Sequence, residues 1–371
     1  MRINLFGQRN LLGGGRHFGS FADALGSLAI VRDAVHEFDY FSDEDYRRAL
    51  KSAGPHDINI HFTNVNGLPQ GMRQREWPKL PGLNIHWAIF ESTIPSSNQI
   101  KWLSTADLVF VPSAWGRQVL INNGLDADKI TVIPEGVDPE MFHPNLRNAY
   151  QGDDVFRVLV VGKYEDRKGF PELLDGYAKA FGDDPSCRLV LKSDSPWMKN
   201  LGEGHYDRNI EELQSGIDQA GITNSAMVNG DIDDVDMFHL YNACDLLLFP
   251  SRAEGWGLPL IEAIACGMPV ATTFYSGHTE FLTPVKDKVG LIDHEMIPMG
   301  ADSDSGEYAR AREEDIAARL VDMRENIDAY RADALEASAM IRSQFSWQRA
   351  AEHCVAALQS RLGVFQLTVH V

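Results

Sequence analysis

Seven short aliphatic runs recur along the chain: INIHF (58–62), NIHWAIF (84–90), DLVFVP (107–112), ITVIP (130–134), FRVLVVG (156–162), RLVLKS (188–193) and DLLLFP (245–250). They are rich in β-branched residues, and many are apolar on both faces. Parallel strands covered by helices on each side look like this. Stretches of helical character lie between them, including ELLDGYAKAF (172–181) and IEELQSGIDQAG (210–221). The alternation predicts open, doubly wound α/β sheets.

The rhythm restarts once. Residues 135–155 are polar, contain Pro139, Pro144 and Gly152, and separate two strand series, so they read as an interdomain linker. A chain of 371 residues with 44% hydrophobic residues is long and apolar enough for two cored domains. The expected division is 1–145 and 146–345. Residues 306–344 read as amphipathic helix throughout. A last helix is expected over 346–362, with Ser346 as its N-cap.

Charge narrows the function classes. The net charge is −19, divided as −3 over residues 1–145 and −16 over the remainder. Nucleic acid is a poor partner for such a surface, and no strong grip on anionic lipid is indicated. No stretch approaches the length of a membrane span. The opening MRINLFGQRNLLGGG has no long apolar core or cleavage pattern, so export is not expected. Cys187, Cys244, Cys266 and Cys354 form no CxxC pair and read as buried, reduced thiols. Together these features point to a cytoplasmic protein.

The chemistry concentrates in SRAEGWGLPLIEAIACGMPVATT (251–273). A buried strand ends at Pro250, a glycine loop follows, Pro259 suits the first turn of a helix, and Gly267 ends it. A glycine loop feeding a helix N-terminus is an anion site, because free N–H groups and the helix dipole point outward. Glu262 sits about one turn into the helix, and Glu254 lies in the loop. Two carboxylates beside a phosphate site make sense as acceptors from sugar hydroxyls, one on a ribose and one on a hexose. The plainer alternative is that Glu262 complements the helix dipole and Glu254 is a solvated loop acid. VGKYEDRKGF (161–170) adds Lys163, Arg167 and Lys168 at the carboxyl end of a strand, where open α/β sheets bind ligands. Three cations there would neutralise a diphosphate; a solvated basic turn is the alternative. Gly13, Gly14 and Gly15 follow the first strand and precede a helix, a weak signal by itself and not a GxGxxG pattern in register.

These pieces, in this order, resemble the family 4 glycosyltransferases, which have the GT-B fold: two Rossmann-like doubly wound domains facing a central cleft. The similarity also takes in ADLVFVPSAWGRQVL (106–120), ITVIPEGVDPEMFHP (130–144), VNGDIDDVDMFHLYNACD (228–245) and FSWQRAAEHC (345–354). The Glu254-x7-Glu262 pair resembles the family's retaining-transferase signature. The resemblance implies an acceptor-side first domain, completed by the returning helix 346–362, and a nucleotide-sugar donor domain over 146–345.

It also implies roles. Glu262 binds donor ribose hydroxyls, and Glu254 binds sugar hydroxyls beside the anomeric carbon. Lys163, where the family usually has arginine, and Lys168 hold the diphosphate with the backbone of Gly257 and Leu258. Asn229 and Asp231 lie in the loop facing the base. Gly13 and Gly14 lie near the diphosphate across the cleft. Many members carry a histidine near the reaction centre after a first-domain strand; here Glu91 stands in about that place and takes an acceptor- or sugar-facing role. His86 reads as a core or structural histidine, His61 lies on another strand, and Trp256 either lines the sugar pocket or packs the loop.

The implied reaction is retaining, front-face hexosyl transfer from a UDP- or GDP-linked sugar to a carbohydrate or other acceptor hydroxyl. It needs no metal or cofactor, because the cations and the helix N-terminus neutralise the leaving diphosphate. The runner-up readings are a GT-B epimerase or phosphorylase, a non-catalytic nucleotide-sugar-binding protein, and a nicotinamide oxidoreductase. Donor, acceptor and oligomeric state are open at this level.

Overall fold

In a computed structural model, residues 2–10, 13–39, 42–64, 80–145, 154–193, 205–230, 232–299 and 306–362 are described. They form two units. The first contains the described residues up to Gly136, Gly306, and those from Phe345 onward; the second contains those from Val137 to Met299 and from Glu307 to Gln344.

The first unit is built on six parallel strands: β1 (Ile3–Gly7), β2 (Val35–Asp39), β3 (Ile58–Asn64), β4 (Leu83–Ile89), β5 (Leu108–Val111) and β6 (Ile130–Val132), in the order β2-β1-β3-β4-β5-β6. Its helices are α1 (Gly13–Ser27), α2 (Asp43–Ser52), α3 (Ser97–Leu103) and α4 (Ala114–Asn122). Phe21, Phe62 and Phe110 pack around the fully buried Trp87. His86 is a core residue, stacked on Trp102 at 3.8 Å, and His61 stacks on Phe6.

The second unit has β7 (Phe156–Val161), β8 (Cys187–Lys192), β9 (Ser225–Met227), β10 (Leu246–Phe249), β11 (Val270–Thr273) and β12 (Gly290–Ile292), in the order β12-β11-β10-β7-β8-β9. Every pairing is parallel. This is the doubly wound dinucleotide-fold order, and its strand order reverses between β7 and β10. The helices are α5 (Phe170–Ala180), α6 (His205–Gln219), α7 (Asp234–Ala243), α8 (Leu258–Ala265), α9 (Thr279–Leu282), α10 (Glu313–Glu325) and α11 (Ile327–Gln344). A core of Val158, Val160, Leu189, Leu191, Leu246 and Leu248 joins the sheet to its helices. The two sheets and their helices constitute the GT-B fold class.

The seven aliphatic runs all form strands: six lie inside their sheets and bury side chains on both faces, and the seventh, β6, is a half-buried edge strand. Two segments differ from the sequence reading. Residues 137–145 pack with the second unit, where Phe142 meets Tyr241 and the Asn145 N–H donates to Asn242 at 2.9 Å. Residues 307–311 form a strand, β14 (Glu307–Ala311), paired antiparallel with β13 (His294–Pro298). Helix propensity in EYARA yields there to burial of Ala309 and Ala311 and to a bond from the Ala309 N–H to the Arg252 carbonyl at 3.0 Å. The final helix, α12 (Trp347–Leu362), begins after Ser346, whose hydroxyl accepts the Arg349 N–H, and packs on α1 in the first unit.

Candidate active site

The loops after β7, β10 and β11 leave the carboxyl ends of three adjacent strands, so sheet order brings them together. The loop after β10 carries Glu254. Its carboxylate lies 2.5 Å from Lys168 Nζ and 2.9 Å from Arg167 Nη1, and it accepts the Ser251 hydroxyl at 2.5 Å. Glu254 is 5% exposed, so the plainer reading as a solvated loop acid does not hold. Burial opposes its ionisation, but the charges of Arg167 and Lys168 outweigh burial and hold the carboxyl at about 2. Burial pulls Lys168 down from its ordinary value, and Glu254 opposes that shift.

Two of the three cations expected to neutralise a diphosphate have acidic partners within the protein. Arg167 bonds Glu165 at 2.7 Å as well as Glu254, and Lys168 is paired with Glu254. The two cations hold the acid in place. Further bonds join the same two loops. The Arg252 N–H donates to the Arg167 carbonyl at 2.8 Å, Arg167 Nη1 to the Ala253 carbonyl at 2.8 Å, and the Arg252 side chain pairs with Asp166 at 2.5 Å and Glu172 at 2.7 Å.

Gly257 caps α8 in the left-handed region, φ 97°, which lets the loop turn into the helix without side-chain strain. Leu258 and Pro259 form the first turn. Glu262 is buried one turn further, and one of its carboxylate oxygens accepts the Tyr241 hydroxyl at 2.9 Å. Trp256 is buried and packs edge-on against Phe281, with centroids 5.0 Å apart. Lys163 follows Gly162 at the end of β7 and is half-buried. Asn229 is exposed in the loop after β9, where Lys192 Nζ donates to the Gly230 carbonyl at 2.9 Å; Asp231 lies outside the described residues. On the other side of Glu254, His278 donates through Nε2 to the Thr273 carbonyl at 2.8 Å, and burial lowers it to about 4.

In the first unit, Gly13 and Gly14 open α1, and a Cβ at either would meet nothing within 4 Å. Glu91 is half-buried, two residues beyond β4. Sequence reasoning missed Ser251, Arg252, Tyr241 and Ser276. Arg252 and Ser251 adjoin Glu254 and carry polar groups at a strand end, a usable signal; nothing local marks Tyr241 or Ser276.

The pattern described as "Family 4 Glycosyltransferase in conflict systems" matches residues 98–354, more than half of the chain. The chain belongs to the family 4 glycosyltransferases. Within that family it is 28% identical over 247 residues to a D-inositol 3-phosphate glycosyltransferase of Geodermatophilus obscurus, covering 65% of this chain and 49% of that one. It is 28% identical over 183 residues to the mannosylfructose-phosphate synthase of Agrobacterium fabrum, covering 47% and 39%. The match thus spans less than half the length of these curated relatives. Among solved structures, the fold is shared with Anabaena Alr3699/HepE in complex with UDP and glucose, at TM-score 0.69 and 17% identity over 97% of this chain and 100% of that one. It is also shared with the sucrose-phosphate synthase of Thermosynechococcus elongatus, at TM-score 0.73 and 15% identity over 98% and 100%. Among the described residues, no helix of this glycosyltransferase-family chain is long and apolar enough to cross a membrane.

Proposed function

We propose that this protein transfers a sugar, with retention of configuration, from a UDP- or GDP-linked donor to a carbohydrate or other acceptor hydroxyl. The observation that carries the proposal is the meeting of buried Glu254, Arg167 and Lys168 with the N-terminus of α8, with Glu262 one turn inside that helix. Binding at a strand-order reversal and at a helix N-terminus suits a nucleoside diphosphate.

In this reading Glu262 takes ribose hydroxyls, and Glu254, held ionised, takes donor-sugar hydroxyls. Lys163, Lys168 and the Gly257 and Leu258 backbone stabilise charge growing on the leaving diphosphate, so no metal is required. Asn229, Asp231 and Trp256 belong to the donor-binding set. In the first unit, Glu91 is the proposed acceptor- or sugar-facing residue, and Gly13 and Gly14 are the proposed phosphate-facing ones. The compartment proposed is the cytoplasm. The HepE complex with UDP-glucose makes that sugar nucleotide the first donor to try.

The test is thermal stabilisation by UDP, GDP, ADP and their sugar conjugates, on wild type and Glu262→Ala. A ligand at a hundred times its dissociation constant adds about 2.7 kcal/mol. One nucleotide series should stabilise wild type and lose most of that effect in Glu262→Ala. Product from the active donor should keep the donor's anomeric configuration. No shift with any nucleotide would remove the donor-site reading, and inversion would remove the retaining one.

A further inference from the structure

Residues 274–278 join β11 to α9, and they back the Glu254 loop from the strand on its far side. The Ser276 hydroxyl accepts the Glu254 N–H at 2.8 Å. The next residue, Gly277, donates its N–H to the Glu254 carbonyl at 2.9 Å. Two successive residues thus take both main-chain polar groups of Glu254. The loops lie so close that a Cβ on Gly277 would fall 2.0 Å from the Gly255 carbonyl oxygen. The side chain of Glu254 is held separately by Arg167, Lys168 and Ser251.

Ser276 is unusual in its backbone. It has φ 65°, and among the described residues it is the only non-glycine residue with positive φ. Glycine would adopt this conformation without strain, but glycine has no hydroxyl to accept the Glu254 N–H. Ser276 is also 1% exposed, so solvent does not replace that bond when it is lost.

We infer that Ser276 is a positioning residue: its strained backbone aims a hydroxyl that fixes the main chain of Glu254, and so sets where the Glu254 carboxylate meets the donor sugar. The inference rests on the donor-site reading above and goes beyond it by assigning a residue outside the paired-glutamate loop.

The test compares full-length wild type, Ser276→Gly and Ser276→Ala. Release of UDP from UDP-glucose and of GDP from GDP-mannose is measured together with UDP and GDP affinity, melting temperature and amide exchange over residues 251–257. Both variants should lose about 10-fold or more in turnover, since small displacements of a reacting group cost rate steeply. Nucleotide affinity should stay within about twofold. Ser276→Gly, relieved of backbone strain, should melt no lower than Ser276→Ala. Unchanged turnover in Ser276→Gly overturns the inference. So does a parallel fall of turnover, affinity and melting temperature, which would mark a purely structural role. If wild type neither binds UDP or GDP nor turns over either conjugate, the functional reading fails, and amide exchange decides the positioning claim alone. Faster exchange in Ser276→Gly supports it, and unchanged exchange overturns it.

Discussion

Lys168 Nζ lies 2.5 Å from Glu254 Oε1, and both side chains are almost wholly buried. The partners are 86 positions apart and meet because β7 and β10 are neighbours in the sheet. Removing one member of a buried ion pair leaves the other charge desolvated. The usual loss is about 3–5 kcal/mol. Arg167 remains beside Glu254, so Lys168→Met should lose about 2–3 kcal/mol in urea unfolding. A loss under about 0.5 kcal/mol would show that Arg167 and Ser251 satisfy the acid without Lys168.

The same arrangement sets an acid limit. Glu254 titrates at about 2 in the folded protein, against an ordinary value of 4.5. Between those values the unfolded chain binds more protons, so the stability contributed by this group is complete above pH 4.5 and lost as pH falls toward 2. Melts of wild type and Glu254→Gln across this window should show a shallower acid slope in the variant. Parallel slopes would contradict the ionised, paired state.

A second buried acid has the opposite sign. Glu135 lies 3.6 Å from His17, and both are buried in the first unit. Burial raises Glu135 to about 8 and lowers His17 to about 3, so it favours the uncharged form of each at neutral pH. From pH 4.5 to 8 the folded state keeps a proton that the unfolded chain releases, and stability falls as pH rises. Glu135→Gln should therefore stabilise the protein at pH 7 by on the order of 2 kcal/mol, with the gain shrinking toward pH 5. An equal effect at both pH values would show that the carboxyl is ionised in the fold.

Tyr241 offers a test of Glu262 that leaves the glutamate in place. Its buried hydroxyl, on α7, donates to Glu262 Oε2 at 2.9 Å. Tyr241→Phe keeps the packing and removes this bond. The expected effect is a loss of about 1 kcal/mol in affinity for the stabilising nucleoside diphosphate, roughly fivefold by calorimetry. Unchanged affinity would mean that Glu262 is aimed by its helix alone.

Most strands that could be read directly are buried on both faces, so their aliphatic runs have no competing pattern; the edge strand β6 was legible from its β-branched residues. β2, as VHEFD, and β9, as SAM, were not legible, because each is an exposed or half-buried edge strand with too few β-branched residues to mark it. β14 was hidden by the helix propensity of its alanines and charged residues. The glycine loop, Pro259 and the two glutamates could be read as a ligand site because their spacing is local. The partners of those glutamates could not.

The sequence by itself determined the alternation of strand and helix, the turn at Gly257, and the presence of two acids and three cations near strand ends. Those features are set within a few residues by burial pattern, propensity and backbone freedom. Only the tertiary structure decided that Arg167 and Lys168 neutralise Glu254, that Tyr241 meets Glu262, and that Ser276 holds the Glu254 main chain. Each of those contacts depends on which strands become neighbours, and strand order is chosen by the summed burial of both faces of the sheet, not by any residue near the contact.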